Sequence, residues 1–264
     1  MKTQNPHCGI DRDSRGVAHL TICNAGPLNI LSSAVIDGIS DGFRRLSVER
    51  GIRIVVLKAE SDQSFSIGGD IKEMVRLDRK TANAFILSLR DICEVVRNFR
   101  TPVIARIPGW CLGMGLAIAA SCDFRIATTT ARFGMPEPRI GIPAIIHAAL
   151  LPRLIGWSHA RWMLMTADSI DAATALNWGL VDAVAPAADL DAAIERTVAS
   201  LLQCSPTALH TQKTLLNQWM EMPLAESINS SVRIFNDAFL TDEPKRLMKQ
   251  FLEHKQSQPT AGKT

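Results

Sequence analysis

Residues 111–123 read CLGMGLAIAASCD and place two glycines, Gly113 and Gly115, on either side of Met114 at the start of an apolar run. Glycine lets the backbone approach a ligand or a neighbouring segment closely, because it has no side chain. The strand-like runs VIARI (103–107) and CDFRIA (122–127) stand before and after this stretch. The sequence therefore predicts strand, tight turn, helix and strand in succession, the alternation typical of an α/β core.

The same alternation extends over the first half of the chain. Alternating or continuous apolar runs predict strands at 17–23 and 52–59, and helical periodicity covers 32–48 and 81–99. From residue 144 the pattern is mostly helical apart from a short strand at 180–185. The last four helices are expected at 189–203, 206–221, 224–240 and 243–255. We expect an α/β core followed by a helical C-terminal part.

Composition excludes several classes of function. The chain has 264 residues, 47% of them hydrophobic, and a net charge of +3 with both signs well mixed. No basic face indicates nucleic acid as a partner, and no apolar stretch is long enough for a membrane span. The N-terminus is polar and none of the six cysteines forms a CxxC pair or a metal motif. We expect a cytoplasmic protein with buried, reduced thiols, and neither metal nor membrane.

A second glycine-rich turn lies in FSIGGDIKEM (65–74). Asp70 is suited to cap the helix that follows, which leaves the N–H of Gly69 beside a helix N-terminus. Met114 can present its N–H in the same way. Two such N–H groups directed at one oxygen form an oxyanion hole, although tight turns and close packing are the commoner reason for such glycines.

Nucleotide cofactors are not expected. GMGLAI resembles the start of a dinucleotide fingerprint, but Ile118 stands where its last glycine belongs, and no phosphate-loop motif is present.

Three segments in order, FSIGGDIKEM, PGWCLGMGLAIAASCDFRIA and ARFGMPEPRIGI, resemble the crotonase (enoyl-CoA hydratase/isomerase) superfamily over about residues 15–255. The resemblance implies an α/β fold in which a spiral of ββα units, residues 1–195, carries the acyl-CoA site. It implies a helical C-terminal trimerisation region at 196–264, and a homotrimer or a dimer of trimers. The expected substrate is a coenzyme A thioester, with no permanently bound cofactor.

The resemblance also assigns roles to particular residues. The N–H groups of Gly69 and Met114 are expected to bind the thioester oxygen. The acyl-CoA substrate is expected to contact Gly69, Asp70, Ile71, Lys72, Met114, Phe239 and Lys255. For Lys255 a solvated helix face is an equally good interpretation.

Glu137, in FGMPEPRIG, matches one of the two glutamates that the family's hydratases use, and we expect it to be the catalytic acid and base. The apolar residues around it, Phe133, Met135, Ile140 and Ile142, should raise its pKa. A solvated loop glutamate is the alternative without the resemblance.

The second hydratase glutamate corresponds to Ala117, and Ile145 and Ile146 should narrow the pocket. These departures favour proton-shuttling isomerisation of an enoyl-CoA. Hydration of an unusual acyl group, decarboxylation, carbon–carbon lysis and non-catalytic acyl-CoA binding stay open. Met74, Val75 and part of the 81–99 helix are expected to line the acyl pocket, and His147 is a second titratable candidate.

Overall fold

The computed structural model describes residues 5–257, and the side chains of residues 5–253. The chain forms two compact units that divide after His210. The division at residue 195 that the resemblance implies stays a prediction.

The central sheet of the first unit has six strands in the order β1-β2-β4-β7-β9-β12. Only β1 is antiparallel to its neighbour, and the other pairs are parallel. The strands are β1 (Cys8–Arg12), β2 (Val17–Ile22), β4 (Ile54–Ala59), β7 (Val103–Ile107), β9 (Phe124–Thr128) and β12 (Ala183–Ala185).

Two smaller sheets accompany the central one. One has four strands in the order β11-β10-β8-β5, and the other pairs β3 with β6 in parallel. Their strands are β3 (Ile30–Leu31), β5 (Ser64–Ser66), β6 (Gly68–Gly69), β8 (Trp110–Leu112), β10 (Arg132–Gly134) and β11 (Ile170–Asp171).

The described part of the first unit contains seven complete α-helices. They are α1 (Ser33–Val48), α2 (Ile71–Met74), α3 (Arg79–Arg97), α4 (Met114–Ser121), α5 (Leu151–Thr166), α6 (Ala172–Trp178) and α7 (Leu190–Leu202). The helix α8 (Pro206–Trp219) begins in this unit and ends in the second, which also holds α9 (Leu224–Ala238) and α10 (Glu243–Ser257). In the described part of the chain, no helix has the length and apolar character that crossing a bilayer requires.

Successive side chains of the central strands point to opposite faces of the sheet, so the core has two parts. Val55 and Leu57 of β4 face the large cluster that contains α1, α3 and α4, whereas Ile54 and Val56 face α7. Burial on both sides explains why 54–59 reads as a nearly continuous apolar run.

The α/β fold class is confirmed, and most long elements begin and end close to the predicted positions. The mostly helical pattern predicted from residue 144 is present, with two irregularities. Residues 146–150 form a 3-10 helix, and Gly156 breaks the regularity of α5 with φ of 74°. Apart from β12, which lies within the strand predicted at 180–185, the two- and three-residue strands were not predicted, and neither was β1.

Four of the six cysteines, Cys8, Cys93, Cys111 and Cys122, are buried, and none of the six is in a disulfide bond. Burial raises the pKa of Cys8 to about 11 and that of Cys93 to about 12. These two side chains are therefore unreactive thiols at neutral pH.

Candidate active site

Three loops meet at one edge of the four-stranded sheet. Strands β5, β8 and β10 run parallel to one another, with β8 in the middle. The carboxyl ends of parallel strands lie at the same edge of a sheet, so the segments that follow them are neighbours. After β5 comes the Gly68–Gly69 turn, after β8 the start of α4, and after β10 the loop that carries Glu137.

The first loop is held against the start of α4. Gly68 has φ of 104°, and a Cβ built on it would lie 3.5 Å from the Met114 nitrogen. A Cβ on Gly69 would lie 2.9 Å from the sulfur atoms of both Met74 and Met114. Asp70 caps α2 as expected, because its carboxylate accepts a hydrogen bond from the Lys72 N–H at 2.8 Å. The structure therefore brings Gly69 and Met114 together.

The second loop places a free main-chain amide at the beginning of a buried helix. Gly113 precedes α4 with φ of 54°, and Met114 is the first helical residue. The N–H groups of the first helical turn have no acceptor within the helix, so that of Met114 is available to a ligand. Close packing explains the glycine at position 115, because a Cβ there would lie 2.6 Å from the Ser66 carbonyl oxygen.

The third loop brings a carboxylate to the same place. Glu137 begins a 3-10 turn between Pro136 and Pro138. A Cβ built on Gly113 would lie 2.7 Å from Oε1 of Glu137, and the Gly113 N–H donates to the Gly134 carbonyl oxygen at 2.9 Å. The Glu137 carboxylate therefore lies against the residue that precedes Met114.

Burial gives the Glu137 carboxylate an unusual protonation equilibrium. Its Oε2 is buried without a hydrogen-bond partner among the described residues. Desolvation favours the neutral acid, and this raises the pKa of Glu137 above its ordinary value. Such a group is suited to take up and return a proton.

A cavity of about 690 Å³ opens beside Glu137. Its wall is mostly apolar, and the polar side chains in it are Glu137, Arg79 and Asn83. Ala117, one turn into α4, lines the cavity and is 3% exposed. The position that corresponds to the second family glutamate therefore faces the cavity and carries no acid.

The rest of the cavity wall contains some of the residues that were expected from the sequence to line the acyl pocket. Met74, Ile145 and Ile146 line the cavity, as does the N-terminal half of α3. Ile146 has φ of 52°, a conformation that β-branched residues rarely adopt. The prediction for Val75 was wrong, since it does not line the cavity and is 78% exposed.

His147 lies outside the lining of the cavity. It is buried, and its Nε2 is 3.1 Å from Oε1 of Glu94 on α3. Burial holds the pKa of His147 below its ordinary value, against the opposing effect of Glu94. This contact gives His147 a structural role in holding residues 146–150 against α3.

The residues predicted to bind the coenzyme A part of the substrate lie in separate parts of the chain. Ile71 and Lys72 are exposed on α2, next to the Gly69 turn. Phe239 lies in the second unit, with its ring 5.3 Å from that of Phe235. The side chain of Lys255 lies outside the described residues. The roles of these residues in binding stay predictions.

Sequence reasoning named neither Arg79 nor Asn83, although Asn83 belongs to the 81–99 helix expected in the wall. The two residues lie four apart on α3 and both line the cavity. Their spacing places them on one helical face. In the sequence they resemble any exposed polar pair at the start of an amphipathic helix. No group of three or more His, Cys, Asp or Glu side chains suited to a metal occurs among the described residues.

Gly113→Ala is expected to lower turnover by about 10²-fold, because misplacing a catalytic group by an ångström has an effect of that size. The new Cβ would displace the Glu137 carboxylate, and alanine would adopt a positive φ, a strain of about 1–3 kcal/mol. Steady-state kinetics and thermal unfolding measure the two effects.

Gly51→Ala is the matched control, because Gly51 also has a positive φ, of 85°, but its Cβ would meet nothing within 4 Å. It should lose stability and keep its turnover. Equal loss of turnover in both variants would show that the contact with Glu137 does not matter.

Comparison with known proteins agrees with this fold and site. A sequence model described as enoyl-CoA hydratase/isomerase matches residues 12–260. The chain therefore belongs to the enoyl-CoA hydratase/isomerase family, within the crotonase superfamily, and is an acyl-CoA enzyme of that family.

Individual relatives extend over nearly the whole chain. A probable enoyl-CoA hydratase from Mycobacterium tuberculosis is 33% identical, covering 95% of this chain and 96% of its own. A short-chain-enoyl-CoA hydratase from Clostridium acetobutylicum is 30% identical over 90% of this chain and 91% of its own. The crystal structure of an enoyl-CoA hydratase from Mycobacterium smegmatis superposes with a TM-score of 0.90 at 28% identity, covering 94% of this chain and 97% of that one.

Proposed function

We propose that this protein shifts the double bond of an enoyl-CoA thioester, with Glu137 as the one acid and base. The observation that carries the proposal is a single buried carboxylate beside the two amide-bearing turns, with Ala117 in the cavity wall where a second carboxylate would stand. Moving a proton between two carbons needs one base that accepts and returns it. Adding water needs a second group to hold and activate the water.

The proposed reaction begins at the thioester oxygen. The N–H groups of Gly69 and Met114 donate to this oxygen and stabilise the negative charge that develops on it. The Glu137 carboxylate removes a proton from C2 of a 3-enoyl thioester. The electron pair of the broken C2–H bond forms a C1–C2 double bond as the carbonyl π electrons move to the thioester oxygen, giving a dienolate. When the carbonyl group re-forms, this pair becomes the C2–C3 double bond, and the π electrons of the C3–C4 bond take the proton back from the Glu137 acid at C4. The product is the 2-enoyl thioester, with no net gain or loss of atoms.

The coenzyme A part of the substrate is proposed to follow the α2 turn. Asp70 fixes the turn by capping α2, and Ile71 and Lys72 are exposed beside it. Lys72 would add a positive charge for phosphate, and Phe239 and Lys255 are proposed to contact the nucleotide. The substrate supplies its own activated carbonyl group, so the proposed reaction uses no further cofactor.

A homotrimer or a dimer of trimers is proposed for the assembly. On α9 the apolar side chains of Leu224, Ile228, Val232 and Phe235 are all more than half exposed. Their spacing of three and four residues puts them on one helical face. An exposed apolar stripe of this kind supports burial against another subunit.

Hydration is the second candidate, and the names of the relatives from M. tuberculosis and C. acetobutylicum favour it. Decarboxylation and carbon–carbon lysis use the same enolate. Non-catalytic acyl-CoA binding is the candidate outside enzyme chemistry. The proposal of an isomerase rests on Ala117, and that of an enzyme rests on Glu137.

The decisive experiment incubates the protein with 3-enoyl and 2-enoyl thioesters in deuterated water and analyses the products by mass. We expect deuterium at C2 or C4 and conversion of 3-enoyl to conjugated 2-enoyl thioester, without addition of water. A product heavier by one water, formed from the 2-enoyl thioester at a comparable rate, would establish the hydratase. Binding without any exchange would establish the non-catalytic protein.

A further inference from the structure

The wall of the cavity changes from apolar to polar along α3. Leu89 and Phe85 are buried, Ile86 is partly exposed, and Asn83 and Arg79 are exposed. All five line the same cavity, which therefore runs from a closed apolar end to a polar end at the start of the helix. Ten residues of α-helix span about 15 Å, so the polar end is well separated from the closed one.

Arg79 stands where a helix does not favour it. It is the first residue of α3, and the partial positive charge of a helix N-terminus repels a cation there. Asp78 already satisfies the first turn, accepting hydrogen bonds from the N–H groups of Lys80 and Thr81 at 3.0 and 2.8 Å. The guanidinium of Arg79 therefore contributes nothing that the helix start requires.

Arg79 also has no anion beside it. Among the described residues, no acidic side chain lies within salt-bridge distance of its guanidinium, although Arg90, further along α3, pairs with Asp91. Of the cavity's lining residues, Arg79 alone carries a positive charge. Asn83, on the next turn of the same face, adds amide donors.

We propose that the acyl group of the substrate ends in a carboxylate, which Arg79 binds with the help of Asn83. A guanidinium matches a carboxylate with two parallel hydrogen bonds, and this gives direction as well as charge. The inference rests on the proposed function, because it assumes that the acyl group occupies this cavity. It assigns the substrate to the thioesters of dicarboxylic acids.

The phosphate groups of coenzyme A are another source of negative charge. Two carriers distinguish them: full coenzyme A, and pantetheine, which lacks the nucleotide and its phosphates. Each carrier is joined to an acyl chain of equal length that ends in either a methyl or a carboxylate group. The four thioesters are compared by kcat and KM in the wild-type protein and in Arg79→Gln.

We expect the wild type to prefer the carboxylate-terminated thioester on both carriers. Arg79→Gln should raise KM for that thioester by about tenfold, the size expected for losing a partly solvated, charge-assisted hydrogen bond, and leave the methyl-terminated one unchanged. Arg76→Gln is the matched control, since Arg76 is exposed on the same segment but does not line the cavity. Arg76→Gln should leave KM unchanged for both kinds of thioester.

Two outcomes overturn the inference. If Arg79→Gln raises KM for both coenzyme A thioesters and for neither pantetheine thioester, the arginine binds nucleotide phosphate. If it changes none of the four, it binds neither anion. Binding of the saturated, unreactive thioesters, measured by calorimetry, separates this question from turnover. An Arg79-dependent preference for carboxylate without any turnover would keep this inference and reject the proposed reaction.

Discussion

Glu137→Gln is expected to reduce proton exchange and isomerisation by about 10²–10⁴-fold, the contribution that a positioned acid and base makes. Glutamine has nearly the same shape and still fills the space beside Gly113, but it cannot accept and return a proton. Thioester binding should persist, because the Gly69 and Met114 amides are unchanged. Deuterium exchange at C2 and calorimetric binding measure the two effects separately.

The raised pKa of Glu137 makes two further results part of this prediction. The base must be ionised, so the exchange rate should fall as pH drops through a pKa above the ordinary glutamate value. A glutamate whose folded pKa is raised contributes most stability below its unfolded pKa, and that contribution is lost as pH rises through the folded pKa. Glu137→Gln removes this effect, so at neutral pH the variant should unfold at the same temperature or a higher one.

Glu195→Gln is the matched control for this experiment. It makes the same chemical change at an exposed carboxylate on α7 that pairs with Arg15 and does not line the cavity beside Glu137. Its exchange rate should equal that of the wild type. Full exchange in Glu137→Gln would remove Glu137 from its proposed role.

Ala117→Glu is expected to increase hydration of a 2-enoyl thioester by about 10²-fold or more over the wild-type rate, since a second acid–base group contributes on that order. Ala117 lines the cavity one turn into α4, and the adjoining cavity of about 690 Å³ has room for the longer side chain. Two carboxylates there can hold a water molecule and exchange protons with it. The product is followed by its mass, which increases by one water.

Ala117→Gln is the control, because it fills the same space without an ionisable group, and it should not hydrate. The two neighbouring carboxylates in Ala117→Glu should raise one of their pKa values further, so the pH dependence of the new activity should differ from that of the wild-type exchange. A wild type that already hydrates rapidly, or an Ala117→Glu variant that isomerises and never hydrates, would show that this position does not separate the two reactions.

Long elements were predictable because each contains enough residues for a pattern. The run 103–107 has four apolar residues and Arg106, and it is closed by Thr101-Pro102 and Pro108-Gly109; β7 has those bounds. A strand such as β6 has two glycines and no pattern at all. It forms because Ile30 and Leu31 lie beside it, a partner nearly forty residues away that no local pattern reveals.

The site was predictable to a similar degree. Motifs identified Gly69, Met114 and Glu137, and the structure brings them to one sheet edge, while their catalytic roles stay predictions. The polar end of the cavity was missed, because Arg79 and Asn83 look like solvated positions until the fold shows what faces them. Val75 was misplaced because its side chain is exposed, and the sequence does not reveal which side of this short segment faces the cavity.

The pairing of β8 with β10 has a consequence for how this enzyme can vary in length. Phe133 is fully buried opposite Cys111, so sliding β10 by one residue would turn Phe133 to the other face and shift everything after it by about 3.3 Å. Insertions and deletions should therefore be tolerated at the exposed Thr129–Thr130 bend, ahead of the strand, and rejected between Phe133 and Glu137. The number of residues between Phe133 and Glu137 therefore determines where the Glu137 carboxylate lies.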